Sequence, residues 1–216
     1  MKKLSLFILI AVLSYSAKSQ VIEITPSYGY QFGAKLGYSS SYLKMRSSDQ
    51  FGITLGVETY SGLMAEVTYI NMSSELRIRD SFLNPPINFE TRLSDLNVDW
   101  FFIGATRYFK QGKVKPFAGG GLGLVVISPK NENRDLLDDY NVRGNLDSST
   151  RFAFNFKAGV NIMFTDSIGL NLQGNLYFPV NWAGVYVGPG GAGISTGSTV
   201  ILGGFSGGLV FRIDKD

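Results

Sequence analysis

The chain of 216 residues contains no cysteine and no histidine. Without cysteine there is no disulfide, no thiolate nucleophile and no cysteine-based metal site. Without histidine the commonest general base, the commonest zinc ligand and every Ser-His or Cys-His pairing are missing as well. An excess of one charge is also lacking. Twenty Lys and Arg stand against 17 Asp and Glu, and three of those lysines (Lys2, Lys3 and Lys18) fall within the first 19 residues. The rest of the chain therefore carries 17 of each sign, and bulk charge offers nothing to a nucleic acid. Beyond residue 19 no apolar run approaches the roughly 20 residues that a membrane-spanning helix needs.

The start of the chain has a different character. Lys2 and Lys3 form a basic n-region, Leu4–Leu13 an apolar h-region, and Ala17-Lys18-Ser19 a small-x-small cleavage site. This pattern predicts a secretory signal peptide over 1–19 and leaves 20–216 as one domain. The 26 glycines and 13% aromatic residues suit strands and tight turns better than helices.

Alternation is clearest between Arg151 and Val180. Phe152, Phe154, Phe156, Ala158, Val160 and Ile162 share one parity, with Arg151, Asn155, Lys157 and Asn161 on the other. After Thr165-Asp166-Ser167 the period of two resumes, with Ile168, Leu170, Leu172, Leu176 and Phe178 against Asn171, Gln173, Asn175 and Tyr177. A helix would mix the two sets, so both segments read as strands with one oily and one wet face. A membrane β-barrel supplies the cause, with lipid outside and a polar lumen inside.

Similar segments occur at 22–34, 51–60, 63–79, 92–109, 114–128 and 199–213, which brings the count to eight. Connections after the second, fourth and sixth are short. Those over 35–50, 80–91, 129–149 and 181–198 are long and polar or glycine-rich. The one-sided asymmetry predicts an all-β, eight-stranded antiparallel up-and-down transmembrane barrel in the outer membrane, both termini periplasmic. Leu96, Val98, Trp100 and Phe102 are expected to face lipid. Asp95, Asn97 and Asp99 are then in the lumen, with Phe101 and Ile103 marking a bulge or an apolar lumen layer.

At this level the chain resembles the small outer-membrane barrels of the OmpA-like and OmpW-like group. It also resembles the Bacteroidota outer-membrane barrel-domain proteins, some of them labelled PorT-like. The end is the sharpest local feature: Ser206, Gly208, Phe211 and Ile213 follow a polar-x-Gly-x-x-apolar-x-apolar pattern, similar to the signal read by the barrel assembly machinery. It departs from the usual form in ending Asp214-Lys215-Asp216 rather than in Phe.

An eight-stranded barrel has a lumen about wide enough for its own side chains. Parity places Glu58, Glu66, Asp95, Asp99, Arg107 and Lys157 there or at its rims, together with Glu23 and Arg151. Glu58 and Glu66 face each other if the intervening turn holds three residues. Arg107 and Lys157 are then the neutralising cations. A salt-bridged plug is favoured over an ion path, because buried charges persist mainly when paired.

Three other motifs carry less. Gly188-Pro189-Gly190-Gly191-Ala192-Gly193 matches G-x-G-x-x-G, but no helix pattern and no acidic residue follow at the required distance. No cofactor is expected. Asp135, Asp138, Asp139 and Asp147 lack calcium-loop spacing, so a solvated loop is favoured over a metal site. A serine hydrolase would need a Lys base, and Lys157 has no Ser-x-x-Lys partner, so catalysis is not expected.

What the resemblance implies is a monomeric, non-enzymatic protein with a structural, adhesive or surface-recognition role through its external loops. Its partners would be outer-membrane lipids, lipopolysaccharide and the assembly machinery. A narrow OmpW-like channel for small or hydrophobic solutes, or a PorT-like component of a secretion or gliding apparatus, are the alternatives.

Overall fold

The computed structural model describes residues 21–38, 41–80, 86–110, 112–139, 147–180, 185–188, 191–194 and 201–213. The leader expected over 1–19 lies outside them. The elements in chain order are β1 (Ile22–Gln31), β2 (Ala34–Tyr38), β3 (Ser41–Met45), β4 (Ser48–Tyr60), β5 (Leu63–Asp80), β6 (Ile87–Tyr108) and β7 (Val114–Lys130). They continue with helix α1 (Arg134–Asp139), β8 (Ser149–Met163), β9 (Ile168–Val180), β10 (Val185–Gly188), β11 (Gly191–Ile194) and β12 (Leu202–Ile213).

Eight of the strands form a closed antiparallel ring in the order β1-β4-β5-β6-β7-β8-β9-β12 and back to β1. First and last strands pair with Ile22 opposite Ile213, Ile24 opposite Phe211 and Gln31 opposite Gly204. One more bond, Phe32 N–H to the Gly203 carbonyl at 2.8 Å, extends the seam. The ladder lapses at Thr25 and Pro26 on the β12 side, where proline has no N–H to give. On the β4 side the register runs through, with Pro26 opposite Ile53.

The short connections sit at one end. Ser61-Gly62 joins β4 to β5, with Gly62 in the left-handed region at φ 73° that a side chain would disfavour. Residues 109–113 and 164–167 join the other two pairs. At the opposite end much of what reads as loop is strand. Segment 35–50 holds the β2–β3 hairpin, which pairs with β5. Segment 80–91 is mostly the start of β6, leaving only 81–86 between β5 and β6. The 181–198 stretch contains the separate β10–β11 hairpin, and 129–149 contains α1, with Asn133 accepting from the Leu136 N–H at its start.

On the outer wall Leu55, Val67, Ile103, Leu122, Phe156, Leu172, Phe205 and Leu209 are all exposed. A continuous apolar belt of this kind is a liability in water and at home in hydrocarbon. Tyr69 and Phe101 pair at its upper edge, ring centroids 5.1 Å apart. Above them the outer face turns polar at Asn71 and Asp99.

β6 corrects the expected facing. Leu96, Val98, Trp100 and Phe102 are buried inside the ring, whereas Phe101 and Ile103 are exposed on the outer wall. Asp95, Asp99 and Arg107 share that outward parity, so none of the three is in the lumen. No bulge exists between β6 and β7, whose register runs unbroken from Asp95 opposite Lys130 to Tyr108 opposite Phe117. From Ser94 to Tyr108 the side-chain facing does not change, and the surroundings do, from lipid below to water above. Beyond Ser94 the register against β5 shifts, and Arg92 falls on the outer face beside Asp95.

Candidate functional site

The lumen is filled in two layers, each tied across the ring. In the lower layer Glu66 of β5 meets Lys157 of β8, Oε2 to Nζ 2.5 Å, with both side chains about nine-tenths buried. Thr106 donates to the same oxygen at 2.8 Å. Glu23 of β1 accepts from the Tyr108 hydroxyl of β6 at 2.6 Å, and Asn161 and Asn171 extend the chain at 2.7 Å each. Towards the short-turn end Arg212 of β12 lies 3.5 Å from both Glu23 and Glu58. β5 and β8 stand three places apart in the ring, as do β1 and β6, so these ties pass through its middle. Among the described residues these ties border a cavity of about 20 Å³ at Glu23, Glu66, Tyr108 and Lys157, room for about one water.

The upper layer is mainly aromatic and aliphatic, with Gln50 and Asn155 buried in it as well. Trp100 stacks on Tyr177 with centroids 5.0 Å apart, and Phe102 on Tyr177 at 5.9 Å. β6 and β9 also stand three places apart, so this stack closes the bore. Ile70, Leu96, Val98, Val125 and Leu202 pack around it. Facing residues on β7 are small to admit the filling: a Cβ at Gly121 would meet Asn155 Oδ1 at 2.9 Å.

Of the charged residues expected in the lumen, the structure joins Glu66 to Lys157 and places Glu58 at the lower rim. Glu58 and Glu66 do not face each other, because the two-residue turn sets Glu58 opposite Met64 and Glu66 opposite Gly56. Glu58 instead accepts from the Gly62 N–H at 2.8 Å. Arg107 points outward and is exposed, so Arg212 takes the neutralising part assigned to it. Arg212 shares its parity with Ser206 on β12, the signal that could have revealed it. Asp99 accepts from Tyr69 and Asn71 on the outer wall, at 2.7 Å each. Arg151 is at the rim, its guanidinium donating to Ser149.

Polar contacts dominate the outer face above the belt. Arg77, then Arg46, holds Glu75 below the ordinary carboxylate range, and Lys44 does the same to Glu90. Asp95 is held down by the Asn131 amide first and by Arg92 next.

At the end of the chain Ser206 is buried and accepts from Asn175 at 3.1 Å, while Phe211 and Ile213 are exposed on the outer wall. Gly208 lies against β1, where a Cβ would land on the Pro26 carbonyl oxygen. The centre of the G-x-G-x-x-G stretch, residues 189–190, lies outside the described residues, with a strand on each side of it. The acidic loop is described only in part. Among the described residues no group of three acidic side chains could hold a metal ion.

The family model for the outer membrane protein beta-barrel domain matches residues 5–177. The chain belongs to that family. Among solved structures, OprG from Pseudomonas aeruginosa is similar, with TM-score 0.59 at 12% identity over 92% of this chain and 98% of that one. Neisserial surface protein A aligns with TM-score 0.55 at 15% identity over 90% and 97%. The attachment invasion locus protein Ail of Yersinia pestis, solved with the heparin analogue sucrose octasulfate, aligns with TM-score 0.52 at 11% identity over 91% and 99%. No curated protein matches. At these identities the likeness establishes the fold of an outer-membrane barrel.

Proposed function

We propose that this protein is a closed, non-conducting and non-enzymatic outer-membrane barrel that works through its external surface. The observation that carries the reading is the doubly filled lumen, with a stacked aromatic layer above a paired charge layer. A narrow channel needs a continuous bore, and among the described residues the charge layer is crossed by side-chain ties that border a cavity of only about one water. The short-turn end and both termini face the periplasm in this reading. The tall β5–β6 hairpin and the β2–β3 hairpin then stand outside the cell. The names of two similar structures, a surface protein and an attachment protein, support a role in surface recognition. Assembly through Ser206, Gly208, Phe211 and Ile213, with the chain acting as a monomer among outer-membrane lipids, belongs to the same proposal.

Planar-bilayer recording of the purified protein tests it. Quiet membranes are expected, with at most brief openings. Steady currents at neutral pH would replace this reading with the channel.

A further inference from the structure

Four side chains of the lower layer form a chain of hydrogen bonds whose direction is fixed from one end. Glu23 is buried, and as a carboxylate it can only accept, so the Tyr108 hydroxyl donates to its Oε2 at 2.6 Å. The Tyr108 oxygen is then left to accept, and Asn161 meets it with Nδ2 at 2.7 Å. The Asn161 carbonyl oxygen in turn accepts from Asn171 Nδ2 at 2.7 Å. Turning either amide round would set acceptor against acceptor, so both orientations are determined.

Because every bond runs the same way, the chain ends in two acceptors, Glu23 Oε1 and Asn171 Oδ1. Both side chains are buried, and neither oxygen has a hydrogen-bond partner among the described residues. Arg212 Nη1 comes within 3.5 Å of Glu23 Oε1 without making a hydrogen bond to it. Glu23 and Asn171 border the same cavity of about 20 Å³. We propose that this cavity binds one ordered water, which donates to Glu23 Oε1 and Asn171 Oδ1 and closes the chain into a ring.

The lining selects the occupant. Two unpartnered acceptors call for a species that donates twice or carries positive charge. The two carboxylates that border the cavity, Glu23 and Glu66, are already matched by Arg212 and Lys157. Lys157 borders the cavity itself, and its ammonium repels a further cation. Space for a single water excludes a larger neutral donor. Thr25 and Lys157 also carry hydrogens that the water's own oxygen can accept, which brings it to the usual three bonds of a buried water.

The ring has a place in the fold. Its direct bonds join β9 to β8, β8 to β6 and β6 to β1, leaving β9 and β1 to be joined. Between those two strands lies β12, which closes the barrel. The water therefore ties the two neighbours of the closing strand to each other across its lumen face.

Nuclear magnetic resonance of the full barrel in detergent micelles tests this, with wild type read first. Cross-peaks from water to the Tyr108 ring and the Thr25 methyl group are expected, with the sign of a water that tumbles with the barrel. Rotating-frame spectra separate them from proton exchange. Asn171→Leu removes the acceptor at similar size and is expected to lose the cross-peaks. Gln173→Leu borders the same cavity outside the ring and is expected to keep them. Their absence in wild type overturns the proposal, and no variant has to fold for that outcome. Survival in Asn171→Leu overturns it too. Loss in Gln173→Leu would mean that general polarity holds the water, which overturns the two assigned acceptors. Signals that move when sodium or ammonium replaces choline at constant ionic strength would mean a bound cation, and also overturn it.

Discussion

Lys157 and Glu66 lie on strands that never touch as neighbours, and the ion pair between them spans the lumen. Removing one partner leaves a nearly buried charge alone, which costs about 3–5 kcal/mol. Lys157→Met is therefore expected to lower the urea midpoint of the barrel in lipid vesicles. The double variant Glu66→Leu/Lys157→Met is expected to recover most of the loss, since neither charge then remains. If the double variant is as unstable as the single, Lys157 acts by shape rather than by charge. Two glycines make a second contrast. Gly208→Ala would push a methyl group into the β1 backbone at the closing seam, at a cost of about 1–3 kcal/mol. Gly174 faces open space, with nothing within 4 Å of where a Cβ would stand, so Gly174→Ala is expected to be neutral or to stabilise by up to about 1 kcal/mol. Refolding yields from urea that fail to separate the two would count against the seam geometry.

At the scale of elements, β5 and β6 explain both what the sequence reveals and what it hides. The alternation of Phe152–Ile162 against Asn155 and Asn161 is legible because one face meets lipid for the whole strand. β6 passes through two surroundings. From Phe101 down, Phe101 and Ile103 face lipid while Phe102 and Tyr108 face in; above it Trp100, Val98 and Leu96 face in and Asp99, Asn97 and Asp95 face out. Polarity alone then assigns the wrong face to the upper half, and Arg107 moves with it. The clue lies in Phe101, Ile103 and Phe109, which continue the lipid-facing parity. The same upper region has its own pH response. The folded pKa values of Glu75, Glu90 and Asp95 lie below their ordinary values of 4.5, 4.5 and 3.8. Their contribution is therefore present above about pH 4.5 and is lost as pH falls through the depressed folded values. Hydrogen-exchange protection factors, corrected for the intrinsic rate at each pH, are expected to fall in 71–80 and 87–99 under acid, while those of 101–108 are kept. Uniform exchange changes along β6 would contradict this division.

For the whole molecule the two fillings of the bore are independent of each other in position and in chemistry. The rings of Trp100, Phe102 and Tyr177 close the upper part by packing. Glu66–Lys157 and Glu23–Tyr108 close the lower part by charge and hydrogen bonding. Either layer alone blocks a lumen that an eight-stranded ring makes only about one side-chain layer wide. Trp100→Ala/Tyr177→Ala is therefore expected to keep planar bilayers quiet, although the cavity it opens lowers stability by about 3–5 kcal/mol for each large side chain removed. Glu66→Ala/Lys157→Ala is expected to stay quiet as well, because the aromatic stack persists. The quadruple variant is expected to pass more ion current than either double, since it alone opens both layers, with Glu23–Tyr108 still narrowing the lower one. A double variant that conducts as well as the quadruple would mean that one layer is the sole barrier. The other layer would then serve to hold the ring in register.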